Sequence, residues 1–121
     1  MADGPLTGKV ALITGAGSNP GMGRIIALAM VRAGARVAMS DVNADALARS
    51  VNDAREIGGD DAAMAIVADV SSQEDAERTV AETIDNFGGL HVLVNNAGIS
   101  PAFTDIHANR NPNFWEIDPA L

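Results

Sequence analysis

The chain has 121 residues, 47% of them hydrophobic, enough for one domain, residues 1–121, with a buried core. A formal charge of −8 sets up a negative field that repels nucleic-acid phosphates and anionic membrane surfaces, so neither is an expected partner. The lack of cysteine excludes disulfides, thiolate catalysis and Cys-based zinc sites, and His91 and His107 lie too far apart for an HExxH arrangement, so no metal is expected.

The opening MADGPLTGKV has neither a basic leader nor a long apolar run, and no later stretch is long enough to span a bilayer; a soluble, cytoplasmic protein is expected. Apolar runs rich in Val, Ile and Ala then alternate with segments of helical period, which predicts βα units around a parallel sheet. The first strand is expected over Val10–Thr14 and runs into a glycine-rich turn. The helix after it, Gly21 to Ala33, is apolar nearly all round except for Arg24 and Arg32, so it should be largely buried before Gly34 ends it. A second strand follows over Arg36–Asp41. Asn43 is a good N-cap for the second helix, which spaces Leu47, Val51 and Ile57 at roughly helical intervals and stops at Gly58-Gly59. The third strand is expected over Ala63–Asp69, and Ser71 with Glu74 forms a capping box for a helix whose Ala76, Val80, Ile84 and Phe87 make one apolar stripe before Gly88-Gly89. The fourth strand is expected over Leu90–Asn95. The fold class is therefore α/β, a doubly wound parallel sheet with four strands and three helices.

Ligands of open α/β sheets bind at the carboxyl ends of the strands, and Thr14-Gly15, Asp41, Asp69 and Asn95-Asn96 stand there. Turn chemistry explains any one of them alone. Together with the glycine loop they describe a groove for an extended, phosphate-bearing ligand. Within the loop, Gly17, Gly21 and Gly23 give G-x-x-x-G-x-G, whereas Pro20 stands where G-x-G-x-x-G requires glycine. Glycine lets the backbone approach a ligand, and the free N–H groups of the helix start favour an anion. Asp41 lies twenty residues beyond Gly21 at the next strand end, where a carboxylate accepts both ribose hydroxyls of an adenosine and repels a 2′-phosphate; NAD is preferred over NADP. Asp45 is a first-turn acid of the second helix.

These residues resemble the short-chain dehydrogenase/reductase family, through LTGKVALITGAG, GMGR, the acidic strand end in SDVN, ADVS, and LVNNAG. The resemblance runs over the whole chain and covers about half of such a protein, which implies the first half of a Rossmann-type fold. It further implies that Gly15, Gly21 and Gly23 line a pyrophosphate, with Met22 between them, that Asp41 holds the adenosine ribose, and that Asp69 and Val70 flank the adenine. Asn96, Ala97 and Gly98 would border the path to the nicotinamide, and Asn95 would help tie the sheet together. The loop TGAGSNPGMG is two residues longer than the family's usual one, so either Gly15 or Gly17 takes the first glycine's role. Ser18 and Asn19 either contact phosphate oxygens or form a bulge facing solvent. His91, where the family often has an acid, reads as structural.

The family's proton-transfer apparatus, a serine and a Tyr-x-x-x-Lys pair, cannot be placed: the chain has no tyrosine, and its one lysine, Lys9, precedes the first strand. No catalytic residue is expected in this chain. Pro101 to Pro112 reads as a ligand-side loop, His107 as a solvated loop residue, and Phe114 and Trp115 as anchors for a helix that opens at Asp118-Pro119. A helix opening so near the end predicts a truncated chain, inactive alone, whose fourth strand exposes an edge and an apolar face that favour association. The complete protein would be a homo-oligomeric oxidoreductase moving hydride between nicotinamide and an alcohol or carbonyl substrate. Two other readings stand beside it: a non-catalytic dinucleotide-binding or interaction module complete at this length, and an S-adenosylmethionine methyltransferase, which does not account for NNAG.

Overall fold

The computed structural model describes residues 3–98. Strands β1 (Val10–Thr14), β2 (Arg36–Asp41), β3 (Ala63–Val67) and β4 (Val92–Val94) alternate with helices α1 (Met22–Arg32), α2 (Ala44–Gly58) and α3 (Gln73–Phe87). All pairings are parallel, and the strand order is β3-β2-β1-β4. The chain thus winds outward from β1 through β2 to β3, then returns to pair β4 with the other side of β1. This is the first half of a Rossmann-type doubly wound sheet, and β1 is its central strand.

β1 and β2 begin and end where expected because both faces of each are covered. Val10–Ile13 and Val37–Ser40 are buried throughout, and an unbroken run of small and branched apolar residues is what such strands require. On one face Ala11, Ile13, Val37 and Met39 pack against Ala27, Leu28 and Val31 of α1 and Leu47, Val51 and Ala54 of α2. On the other, Leu12, Ala38 and Ile66 form a smaller cluster with Ala68, bordered by Met64, Phe87 and Leu90.

Five expectations change. β3 stops at Val67, with the Ala68 N–H making the last ladder bond to the Asp41 carbonyl (3.1 Å), and β4 holds only three residues. α1 is half-buried: Met22 and Ile25 face outward, because α1 packs on the sheet and α2 along one side only. The cap of α3 is Ser72, whose hydroxyl accepts from the Asp75 N–H at 3.2 Å; Ser71 turns instead to Asp69. The expected stripe of α3 also faces the wrong way, with Ala76, Val80 and Ile84 exposed and Thr79 and Thr83 buried. Each threonine hydroxyl donates to a carbonyl of its own helix, Ala76 at 2.8 Å and Thr79 at 2.7 Å, so the side chain enters the core as a nearly apolar group. The second helix is as expected, with Asn43 Oδ1 accepting from the Ala46 N–H at 3.0 Å.

β4 lies at the sheet's edge, with Leu93 beside Leu12 but 52% exposed. Its start is pinned by His91, whose N–H donates to the Val10 carbonyl and whose Nδ1 accepts from the Val10 N–H, both at 2.9 Å. The structural reading of His91 therefore holds. Phe114, Trp115, His107, the 101–112 loop and the helix opening at 118–119 lie outside the described residues. Among the described residues no helix is long and apolar enough to cross a membrane, and no three His, Asp or Glu side chains are grouped to hold a metal.

Leu12 is fully enclosed and Ile84 is not, so Leu12→Ala is expected to lower the unfolding free energy by about 2–5 kcal/mol and Ile84→Ala by about 1 kcal/mol or less, measured by urea denaturation.

Candidate dinucleotide-binding cleft

The order β3-β2-β1-β4 makes neighbouring crossovers leave β1 in opposite directions, and a crevice opens at the carboxyl end of the sheet where they part. It is a cleft of about 670 Å³ between the turn after β1 and the ends of β2, β3 and β4. Gly15, Ser18, Gly21 and Met22 line it from the loop, Asp41, Asp69 and Val70 from the ends of β2 and β3, and Asn96, Ala97 and Gly98 from the end of β4. Ten of the thirteen expected site residues are thereby brought together. Gly17 and Asn19 line an adjoining hollow of about 560 Å³ between the loop and α2, and Gly23 is buried in the first turn of α1. Lys9 sits at the opposite end of the sheet, immediately before β1.

The seam between β1 and β4 is closed by side chains. Thr14 Oγ1 accepts from the backbone N–H groups of Asn96 and Ala97, each at 3.1 Å, while Asn96 Nδ2 donates to the carbonyls of Thr14 and Gly15, each at 3.2 Å. The residue that ties the sheet together is thus Asn96, whereas Asn95 is exposed. This clasp brings Ala97 so near that a Cβ on Gly15 would lie 2.7 Å from its Cα, and Gly15 itself has φ +66°. Only glycine meets both demands, so Gly15 takes the turning role left open between it and Gly17.

Gly17 is needed for a different reason. Its N–H donates to Asp41 Oδ2 at 2.9 Å, and a Cβ there would stand 2.9 Å from the carboxylate carbon. Asp41 Oδ1 accepts from the Asn43 N–H at 3.0 Å. Both oxygens are therefore fixed, yet each keeps a lone-pair position for a ligand hydroxyl. Ser18, Asn19 and Pro20 are exposed; Ser18 faces the cleft and Asn19 the adjoining hollow.

The start of α1 points its charge at the cleft. Gly21, in extended conformation, offers no side chain to cap it, and its first turn carries no acid, whereas α2 and α3 are capped by Asn43 and Ser72. Its first N–H groups remain available to an anion. Arg24, a cation in that turn, is held away by Asp53 of α2 through Nε (3.2 Å) and Nη2 (2.8 Å).

Sequence reasoning missed Ser40, Val42, Ala68 and Ser71, which also line the cleft. Ser40 is 1% exposed and its Oγ has no hydrogen-bond partner among the described residues. A buried hydroxyl left unpaired costs free energy, so a polar ligand atom is the fitting partner. Nothing in the sequence marks Ser40, which strand alternation places on the face of β2 opposite Asp41. Val42 and Val70, both exposed, offer two apolar side chains beside the acids Asp41 and Asp69, suited to a flat ring.

Comparison with known proteins agrees with this geometry. A sequence model of the family described as short chain dehydrogenase matches residues 9–117. Sorbitol dehydrogenase of Cereibacter sphaeroides is 51% identical over 94 residues, 78% of this chain and 34% of that protein. The 7alpha-hydroxysteroid dehydrogenase of Escherichia coli (strain K12) is 41% identical over 93 residues, 77% of this chain and 35% of that protein. Among solved structures, a short chain dehydrogenase from Mycobacterium smegmatis superposes with a TM-score of 0.74 at 35% identity, covering 81% of this chain and 41% of that one. An NAD+-bound xylitol dehydrogenase superposes with a TM-score of 0.72 at 38% identity, covering 78% and 35%. The chain spans about a third of the length of the curated relatives it matches.

Asp69 is held ionised by its neighbour. The Ser71 hydroxyl (2.7 Å) and N–H (2.9 Å) both donate to Asp69 Oδ1, which lowers its pKa below the usual carboxylate value. A depressed folded-state pKa contributes stability above the unfolded value, and the contribution is lost as pH falls through the folded one. Ser71→Ala is expected to raise the Asp69 pKa, read by carbonyl-carbon NMR titration, and to narrow that acid window.

Proposed function

Because the chain belongs to the short-chain dehydrogenase family, a family of oxidoreductases, we propose that it is the cofactor-holding part of a nicotinamide-dependent enzyme, with NAD preferred over NADP. The observation that carries this reading is the meeting, at one crevice, of the Gly15 turn, the uncapped start of α1 and the doubly anchored Asp41 carboxylate. The pyrophosphate lies along Gly15, Ser18, Gly21 and Met22 against the N–H groups of α1. The adenosine ribose takes the free lone pairs of Asp41, and the adenine lies between Val42 and Val70, near Asp69. Asn96, Ala97 and Gly98 border the nicotinamide end. The unpaired Ser40 hydroxyl and the NAD+ of the similar xylitol dehydrogenase support the same assignment.

When bound, NAD supplies a hydride acceptor or donor at nicotinamide C4, and the substrate class is a small alcohol or carbonyl compound. This chain's residues bind and orient the cofactor; they do not supply the proton transfer. It contains no tyrosine, and Lys9 stands at the far end of the sheet. The 121-residue chain therefore binds NAD(H) without turning over.

Asp41 makes the sharpest test. Hydrogen bonds to a charged group are worth about 1.5–3 kcal/mol, so Asp41→Ala is expected to weaken NADH binding by about ten- to a hundredfold and to narrow the preference over NADPH, measured by calorimetry. Undiminished NADH affinity would remove the ribose assignment, and binding of S-adenosylmethionine in place of NADH would move the chain to the methyltransferase class.

A further inference from the structure

We infer that Ser50, a buried hydroxyl of α2 outside the cleft, is a positioning residue that holds the lengthened glycine loop in its cofactor-accepting shape. Ser50 is 1% exposed, and its Oγ donates to the Gly17 carbonyl at 3.1 Å, across 33 residues of sequence. Buried hydroxyls within helices commonly bond a carbonyl of their own preceding turn, as Thr79 and Thr83 do on α3. Ser50 reaches to another element instead.

The recipient matters. Gly17 donates its N–H to Asp41 and accepts Ser50 at its carbonyl, so the peptide groups on both sides of one residue are clamped, one by β2 and one by α2. The three residues that follow, Ser18, Asn19 and Pro20, are exposed. A loop two residues longer has more conformations to lose on binding, and fixing its first half removes part of that cost beforehand. Through Gly17, Ser50 also sets where the Asp41 carboxylate points. It touches no part of the ligand in this arrangement; it acts through the loop.

The inference rests on the cofactor reading, and one experiment separates the two. Without ligand, amide exchange at Gly17 is expected to quicken about fivefold in Ser50→Ala, while amides at the centres of β1 and β2 keep their rates. With ligand, the Kd for NADH is expected to rise about three- to tenfold, the worth of one net hydrogen bond. Thr79→Val, which removes a buried hydroxyl of α3 that lines neither the cleft nor the adjoining hollow, serves as the control: its melting temperature falls while its Kd stays at the wild-type value. Equal NADH affinity in Ser50→Ala and wild type overturns the inference and leaves the cofactor reading standing. An equal loss of affinity in Thr79→Val overturns it as well, because Ser50 would then be acting through stability alone. A wild-type chain that binds no NADH overturns both.

Discussion

The seam between β1 and β4 governs the molecule. β2 and β3 follow β1 through short crossovers, but β4 arrives some eighty residues later, and it contributes only three residues of ladder. Backbone pairing over so short a length is weak, and side chains complete it. Thr14 Oγ1 collects two N–H groups from Asn96 and Ala97, and Asn96 returns two donors to the carbonyls of Thr14 and Gly15. Gly15, Asn96 and Ala97 also line the cleft, so closing the sheet sets one of its walls. Gly15 then has to turn left-handed to clear Ala97, and that turn aims the loop at the start of α1.

Electrostatics at the cleft oppose the field of the whole chain. A chain of charge −8 repels an anion at long range, yet the first turn of α1 turns N–H groups without a side-chain cap toward the cleft. The one cation in that turn, Arg24, is neutralised by Asp53 on α2 and does not add to the attraction. In the proposed reading, recognition of phosphate belongs to the backbone, and Asp41 is the side chain that would distinguish one adenosine ribose from a phosphorylated one. A backbone site tolerates sequence change in the loop as long as glycine stands where atoms crowd.

The parts of this structure legible in the sequence are those set by local rules. β1 and β2 are buried on both faces, which leaves a continuous apolar signature, and their ends were read to the residue; the Asn43 cap was equally visible. The candidate cleft is legible because several residues after strand ends are polar, and ten of the thirteen expected residues line it. What failed was decided by tertiary geometry. Val80 and Ile84 look more like core than Thr79 and Thr83, but a hydroxyl bonded to its own helix buries well, and the sheet selects the face. Ser71 and Ser72 are adjacent candidates for one cap, and the pull of Asp69 on Ser71 decides between them. Ser40 and Ser50 are ordinary serines in a strand and a helix, and their surroundings alone give them a role.

The late arrival of β4 also orders the making of the site in time. β1, β2 and β3 with α1 and α2 lie within residues 10–67, and every buried residue of the larger core cluster belongs to that stretch. That portion already contains the glycine loop, Ser50 and Asp41. Asn96 and Ala97 join only when the return strand finds β1. On a ribosome, the side of the cleft lined by the glycine loop and Asp41 therefore emerges before the side lined by Asn96 and Ala97.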